Sequence, residues 1–323
     1  MNLQGVAMVR NEADIIEAFV RHNLTRLDGL VIVDHGSADD TVRILLALRS
    51  EGLPVTVLAN AMPGYAQVEI TTVAVRHAFA TTPADFVFPL DADEFIKAPS
   101  RATMERALTA VPSRQHALMT WHTYLPDFAA ADAGVMASAR SARRLPEERH
   151  HHGKVVVARH FTTAPRAVIA GGNHGVIPWN GAKNEDLEPH HVLDARDLAL
   201  AHLPFRNAPQ FIAKTVIKRI ARIAAARDWS EQFDRREAYE HIVSGGPLDS
   251  AFFRASAVNF NVDATRRVEA DSVTLVADPF LADLALRYTS AEPADPMPLV
   301  LAAIEQLAGL EASARKPAAQ VSS

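Results

Sequence analysis

Three carboxylates close an apolar run in residues 86–95, FVFPLDADEF. A short run of aromatic and apolar residues is typical of a buried strand, and open α/β sheets bind ligands at the carboxyl ends of their strands. Asp91 and Asp93 are two positions apart, so an extended chain directs both side chains to one face. A polar turn after a strand is one explanation of the pair. The other is a site for Mg²⁺ or Mn²⁺, because adjacent carboxylates repel each other unless a cation lies between them.

The composition is that of an ordinary globular protein of 323 residues, with 48% apolar and 22% charged residues. The net charge of −5 argues against nucleic-acid binding, which needs a basic surface. Cysteine is absent, so disulfides and thiolate chemistry are excluded. The N-terminus lacks the pattern of a secretory signal, and no uncharged stretch approaches the roughly 20 residues of a membrane helix. We therefore expect a soluble protein, by default cytoplasmic.

Apolar strands alternate with amphipathic helices in the first hundred residues. We expect strands over residues 3–9, 29–33 and 53–58, each followed by a helix, before the strand that ends at Asp91. This alternation predicts an α/β fold with a mostly parallel, doubly wound sheet. In such a sheet Asp34, which follows the second strand, lies at the same edge as Asp91.

Polar residues stand where the first two helices are expected to begin. Asn11 can cap the first helix, and Asp39 or Ser37 can cap the second. Gly36 permits a tight turn between the second strand and its helix. Capping explains Asn11 adequately, but it leaves Arg10 without a local role.

Three motifs together resemble the family-2 glycosyltransferases of the GT-A fold. They are residues 9–12 (VRNE), 31–41 (VIVDHGSADDT) and 90–94 (LDADE), which occur in the order of the family and at comparable spacing. The resemblance is to the bacterial subgroup whose members carry an Arg/Lys-Asn-Glu motif and an Asp-Ala-Asp-Glu motif. One position departs from the family, since His35 stands where many members have Asp or Asn.

This resemblance implies a GT-A-type fold and an enzyme that moves a sugar from a UDP- or GDP-linked donor to a hydroxyl of a glycan or lipid-linked acceptor. It also implies a role in bacterial surface polysaccharide synthesis and transfer with inversion. Asp91 and Asp93 match the motif that holds Mn²⁺ or Mg²⁺ against the donor diphosphate. The residues that we expect to bind the donor nucleotide are Arg10, Asn11, Glu12, Asp34, Ser37, Asp91, Lys154 and Arg206.

Two of these residues come from the second half of the chain. Lys154 belongs to a basic cluster that is either solvated surface or a fringe of the site that neutralises diphosphate. Arg206 ends the segment 202–206, HLPFR, which leads into a helix expected over residues 209–227. This segment, followed by Gln210, Phe211 and Lys214 in the helix, also resembles the subgroup. Trp121, at the end of an expected strand, is either a core residue or a stacking surface for an acceptor sugar.

A histidine after the Asp-x-Asp motif often completes the metal shell of GT-A enzymes. His202 is the first candidate for this role and His174 the second. Transfer to a hydroxyl also needs a general base. Glu94 and Asp127 are the candidates, and Asp127 lies in a segment that we expect to form a mobile loop over the site.

The expected organisation is a glycosyltransferase domain over residues 1–228, a mainly helical extension over 229–311 and a disordered tail over 312–323. One alternative function is a sugar-phosphate nucleotidyltransferase, although residues 10–12 lack the glycines of its phosphate loop. A phosphatase of the haloacid dehalogenase type would need Thr or Val where this chain has Phe95. A non-catalytic carbohydrate-binding protein would not need the metal carboxylates.

Overall fold

The structure is a computed structural model and describes residues 1–60, 66–125, 142–149, 152–178, 187–224, 233–262, 264–281, 284–290 and 295–314. Within them, helices α1 to α8 cover Ile16–Asn23, Thr41–Ser50, Gln67–Thr81, Arg101–Thr109, Ala208–Ala224, Phe233–Val243, Ser250–Val258 and Pro296–Ala314. Strands β1 to β13 cover Leu3–Val9, Gly29–Asp34, Val55–Ala59, Phe86–Leu90, Glu94–Lys97, His116–Leu125, Arg143–Arg144, Gly153–Ala158, Val168–Ile169, Val176–Ile177, His190–Val192, Ala199–His202 and Val276–Ala277. No helix in these ranges combines the length and apolarity needed to cross a membrane.

The centre of the sheet consists of four parallel strands in the order β3-β2-β1-β4. β1 lies between β2 and β4, so that Val6 is aligned with Val31 on one side and with Pro89 on the other. Parallel strands end at a common edge, and the loops after β1, β2 and β4 therefore meet there. The predicted α/β class with a mostly parallel sheet is confirmed.

Helices cover both faces of this sheet, as the alternating pattern of the strands requires. In β2, Leu30 and Ile32 pack into a core formed with α1, α2 and α4. Val31 and Val33 point to the opposite face and pack into a second core with α3. The predicted double winding is therefore present, with α3 alone on its side of the first four strands among the helices described.

The second half of the sheet adds strands that run in both directions. β8 is antiparallel to β4, and β6 is antiparallel to β8. β12 then runs parallel to β6 and pairs in the opposite direction with β5, which aligns His202 with Glu94. As a result, two residues from the second half of the chain lie at the edge where β4 ends. They are Lys154, near the start of β8, and His202, at the end of β12.

The C-terminal helices cover that edge. α5 packs on α8 through small and branched residues, with Ala213 and Ile217 against Leu299. α7 lies where the sequence shows no regular apolar period, and it begins at Asp249, whose carboxylate accepts the backbone N–H of Phe252 at 2.9 Å. The predicted domain boundary at residue 228 lies outside the described residues, as do residues 315–323 of the predicted tail.

A buried carboxylate attaches the C-terminal region to the first helix. Glu17 in α1 is completely buried, and its oxygens accept the backbone N–H groups of Arg287, Tyr288 and Thr289 at 2.8, 2.8 and 3.0 Å. Burial alone would raise the pKa of Glu17, but these three amides and the guanidinium of Arg21 outweigh it and lower the pKa. Glu17 therefore stays charged at neutral pH and fixes residues 287–289 against α1.

Candidate active site

A cavity of about 1040 Å³ opens at the edge where β1, β2 and β4 end, and helices α5 to α8 form its far wall. Nine of the predicted site residues line it: Arg10, Asn11, Glu12, Asp91, Asp93, Glu94, Lys154, His174 and His202. Asp34, Ser37 and Arg206 are not among its lining residues. Asp127 lies outside the described residues.

Asp91 directly follows β4 and is held by three side chains. One carboxylate oxygen lies 2.9 Å from Nζ of Lys154. The other accepts the amide N–H of Gln67 at 3.1 Å and is 3.4 Å from the amide of Asn173. Burial would raise the pKa of Asp91, but the charge of Lys154 outweighs it, so the pKa lies below its usual value. Asp91 is thus an oriented, ionised carboxylate at the cavity wall.

Glu94 and Lys154 form the buried support beneath Asp91. Oε1 of Glu94 lies 2.5 Å from Nζ of Lys154, and Oε2 accepts the backbone N–H of Asp91 at 2.9 Å. Glu94 is completely buried, and only 2% of the Lys154 side chain is exposed. Burial raises the pKa of Glu94, and the ammonium of Lys154 offsets part of this rise. Both Glu94 oxygens are therefore engaged in holding the turn and the lysine, which disfavours its predicted use as a general base.

Asp93 is shared between a lysine and a histidine. One of its oxygens lies 2.6 Å from Nζ of Lys214 in α5, and the other lies 3.7 Å from Nε2 of His202. Its backbone carbonyl accepts the N–H of Leu203, which fixes the end of β12 beside it. Burial would raise the pKa of Asp93, but Lys214 and His202 outweigh it and hold the pKa far below its usual range.

Asp93 and His202 fit the requirements of a divalent cation. Burial lowers the pKa of His202 to about 4, although Asp93 acts in the opposite direction, so the imidazole is neutral at pH 7 and can donate a lone pair. Nδ1 of His202 is buried and has no hydrogen-bond partner among the described residues. A carboxylate oxygen and an imidazole nitrogen that face each other at 3.7 Å are a suitable pair of ligands for Mn²⁺.

His174, the second histidine candidate, lies in a different arrangement. Its Nδ1 donates to the carbonyl of Gly153 at 2.8 Å, and its ring stacks on His152 at 4.8 Å. Trp121 lies beside both candidates, with ring centroids 5.4 Å from His174 and 5.3 Å from His202. The structure therefore brings His202 to the acidic pair, whereas His174 contacts the carbonyl of Gly153 and the rings of Trp121 and His152.

The loops after β1 and β2 are tied together by side-chain hydrogen bonds. Oδ1 of Asn11 accepts the N–H of Ala38 at 2.8 Å, and the hydroxyl of Ser37 accepts the N–H of Asn11 at 3.0 Å. The carboxylate of Asp34 accepts the N–H groups of Gly36 and Ser37 at 3.2 Å each. Asp34, Asn11 and Ser37 consequently shape the two loops that border the cavity.

Of the predicted helix caps at these loops, the cap at Asn11 is wrong, whereas Asp39 does bond the start of α2, because its carboxylate accepts the N–H of Thr41 at 3.0 Å. The residue before α1 is Ile15 and the one before α2 is Asp40, and neither makes a side-chain cap hydrogen bond. Asn11 lies in a left-handed backbone conformation, with φ of 57°, and its side chain bonds the neighbouring loop instead. Asn11 therefore bonds the loop after β2, which is distant in sequence, and does not cap the helix that follows it.

Arg206, which follows β12, pairs with two acidic residues of the segment between β1 and α1. It is completely buried, with Nη2 2.6 Å from Glu12 and Nε 2.9 Å from Asp14. Burial would lower the pKa of Arg206, but the two carboxylates outweigh it and raise the pKa, while burial raises the pKa values of Glu12 and Asp14. Arg206 therefore holds Glu12 in place. Glu12 lines the cavity, and Arg206 does not.

Comparisons with known proteins give weak structural likenesses and no sequence match. No protein-family model matches the chain, and no curated protein matches it. TarS 1-349 of S. aureus, solved with UDP, is 14% identical over 81% of this chain and 73% of its own, with a TM-score of 0.39. Mannosyltransferase PcManGT of Pyrobaculum calidifontis, solved with GDP-Man and Mn²⁺, is 15% identical over 95% of this chain and 87% of its own, with a TM-score of 0.38. Glucosyl-3-phosphoglycerate synthase of Mycobacterium tuberculosis, solved with Mg²⁺ and UDP, is 15% identical over 77% and 81%, with a TM-score of 0.36. At these identities and TM-scores the likeness establishes neither a family nor an activity.

Two residues of the cavity lining, and a third that bonds one of the lining residues, were not singled out as site residues from the sequence. They are Gln67 and Lys214, which contact the two aspartates, and Gln306 in α8. The Gln306 carboxamide accepts from Nη2 of Arg10 at 2.7 Å and donates to the carbonyl of Gly36 at 3.2 Å. The only local signal was for Lys214, which stands in the segment that resembles the bacterial subgroup.

A second group of possible metal ligands lies away from the cavity, formed by His116, His160 and Glu188. Nδ1 of His116 accepts the backbone N–H of Ala158 at 3.1 Å, so in the neutral ring Nε2 carries the proton. That proton is donated to Glu188 at 3.1 Å. Both ring nitrogens are thus occupied by hydrogen bonds, and the group is better described as a buried hydrogen-bonded cluster than as a metal centre.

Proposed function

We propose that the protein is a metal-dependent glycosyltransferase that moves a sugar from a nucleotide donor to a hydroxyl acceptor. One observation carries the proposal: the ionised pair Asp91 and Asp93 and the neutral His202 meet at one edge of the sheet, in a cavity that extends to the loops after β1 and β2. Such a cavity has a cation site at one end and polar loops at the other, which suits a nucleoside diphosphate.

The metal site in this proposal consists of Asp93 and His202, with Asp91 beside them. Asp93 and His202 would hold Mn²⁺ or Mg²⁺, and the remaining coordination positions suit water and phosphate oxygens. When bound, the cation supplies charge stabilisation for the leaving diphosphate. Asp91 is oriented by Lys154 and Gln67, so its carboxylate does not need to reorganise when the donor binds.

The loops after β1 and β2 would bind the nucleoside. Arg10 and Glu12 line the cavity there, and Asn11 and Ser37 hold the two loops in register. Asp34 keeps the turn after β2 closed through its contacts with backbone amides. In this arrangement Arg206 acts through Glu12 as a positioning residue.

Glu94 is assigned a positioning role, because its two oxygens hold Lys154 and the turn at Asp91. Asp127 remains the sequence-based candidate for the general base that an inverting transfer requires. The acceptor proposed on the family resemblance is a bacterial surface glycan or a lipid-linked glycan, and the donor is linked to UDP or GDP.

Release of free nucleoside diphosphate tests this function. The protein is incubated with UDP-glucose, UDP-galactose or GDP-mannose in the presence of Mn²⁺ or Mg²⁺, and slow donor hydrolysis is followed. We expect turnover of one donor that is lost on chelation and falls by about 100-fold in Asp93→Asn, since a central contribution to charge stabilisation is removed.

Asp194→Asn is the matched control, because Asp194 is paired with the exposed Arg196 and lies outside the cavity lining. Its hydrolysis rate should equal that of the wild type. Release of pyrophosphate from a sugar phosphate and a nucleoside triphosphate would instead indicate nucleotidyl transfer. Failure of the wild type to bind any nucleotide would overturn the proposal.

A further inference from the structure

Two lysines neutralise the two aspartates, and their surroundings differ. Lys154 lies between Asp91 and Glu94 and is buried to all but 2% of its side chain. Lys214 is 30% exposed, lines the cavity, and has Asp93 as its one carboxylate partner among the described residues. Lys154 is therefore fixed by two carboxyl groups in the interior, whereas Lys214 makes one such contact and faces open space.

The contact between Lys214 and Asp93 opposes metal binding. The ammonium lies 2.6 Å from one oxygen of the carboxylate whose other oxygen faces His202. A divalent cation bound between that carboxylate and His202 would be repelled by a positive charge so close to it. The same carboxylate cannot satisfy both cations fully, so metal binding becomes more favourable once Lys214 has another partner.

A nucleoside diphosphate offers such a partner. Lysine binds phosphate oxygens as a compact charge on a flexible stem of four carbons. Lys214 projects from the first half of α5 into the cavity that contains the acidic pair. Rotation about its side-chain bonds is enough to move the ammonium from Asp93 to an anion in the same cavity.

We infer that Lys214 exchanges Asp93 for the donor's diphosphate, and that this exchange couples metal binding to nucleotide binding. The inference rests on the proposed function, since it requires both ligands in one cavity. Without nucleotide, Lys214 occupies Asp93 and weakens metal binding. With nucleotide, Lys214 binds the diphosphate and leaves Asp93 to the metal. Such linkage is reciprocal, so the metal strengthens nucleotide binding by the same factor.

Mn²⁺ binding with and without nucleotide tests the inference on the full-length protein. Free Mn²⁺ is measured by electron paramagnetic resonance, alone and with saturating UDP or GDP, whichever the wild type binds. In Lys214→Met, which keeps an apolar stem, we expect Mn²⁺ alone to bind about tenfold more tightly and the diphosphate alone to bind about tenfold more weakly, within the usual range of coupling between sites.

Two further variants separate this effect from a change in overall charge. Lys218→Met removes an equal charge one turn along α5 and should leave the affinity for Mn²⁺ alone close to that of the wild type. Lys214→Arg keeps the charge and should keep the coupling. Unchanged or weaker binding of Mn²⁺ alone in Lys214→Met would overturn the inference and leave the proposed function standing. Absence of any Mn²⁺ or diphosphate binding by the wild type would overturn both.

Discussion

Buried charges in this protein are compensated by residues that are far away in the chain. Arg206 neutralises Glu12 and Asp14, and Lys154 neutralises Asp91 and Glu94. A charge that leaves water loses its hydration, and only a close partner of opposite sign makes its burial tolerable. Removing one member therefore leaves the others as uncompensated buried charges, which costs more stability than the lost contact itself.

Arg206→Met tests this cost of an uncompensated charge at a residue whose side chain is completely buried. We expect the free energy of unfolding to fall by about 3 to 5 kcal/mol, because Glu12 and Asp14 remain buried without their counter-charge. Urea unfolding followed by circular dichroism measures the change. Arg196→Met is the control, since Arg196 is 89% exposed in its pair with Asp194 and the variant should unfold as the wild type does. Equal losses in the two variants would contradict this account of Arg206.

The two histidine candidates can be separated by metal affinity. His202→Ala should weaken Mn²⁺ binding by about tenfold or more, because it removes the imidazole that faces Asp93 at 3.7 Å. His174→Ala should change the affinity little, because its Nδ1 is committed to the carbonyl of Gly153. Calorimetric titration with Mn²⁺ provides the comparison. Unchanged affinity in both variants would remove histidine from the proposed metal site.

At the scale of elements, α8 lines the cavity and also reaches the loops after β1 and β2. It packs on α5 through Leu299 and Ala303. Its Gln306 bridges Arg10 and Gly36, which belong to the loops after β1 and β2. Gly36 has φ of +75°, and a Cβ there would approach the Gln306 carboxamide to 3.4 Å. The glycine therefore permits both the turn and the close approach of the helix.

Gln306→Ala should loosen α8 without unfolding the protein. The side chain supplies two hydrogen bonds to the loops, one of them to a charged group, and their loss weakens the attachment by about 1 to 2 kcal/mol. Amide hydrogen exchange over residues 296–314 should then accelerate by about five- to thirtyfold, while the strands stay protected. Glu305→Ala, on the adjacent exposed position, is the control and should exchange as the wild type does. Equal exchange in all three proteins would contradict an anchoring role for Gln306.

At the scale of the whole molecule, the sequence predicted the parallel half of the sheet and brought the candidate site residues to one edge of it. The apolar runs that form the strands are local signals. The motifs at Arg10, Asp34 and Asp91 are local signals too, and each motif marks the end of a strand. The position of a strand in a parallel sheet follows from such signals, and so does the shared edge.

The partners of the site residues could not be predicted in the same way. Lys214 meets Asp93 across 121 positions, and Gln306 meets Arg10 across 296. Contacts of this kind depend on how α5 and α8 pack, and nothing in the local pattern encodes them. The same reason accounts for the wrong cap at Asn11, whose side chain had a partner in the next loop. His202 became a candidate only through the resemblance, which implies a histidine after the acidic pair.

The carboxylate of Glu17 links an early part of the polypeptide to one of its last. Its amide partners at residues 287–289 leave the ribosome long after α1 has emerged. Until then the nascent chain must keep this charge hydrated, which prevents α1 from docking fully. Maturation of the N-terminal half therefore waits until residues 287–289 have been synthesised, and a fragment that stops near residue 228 would lack the groups that make burial of this acid tolerable.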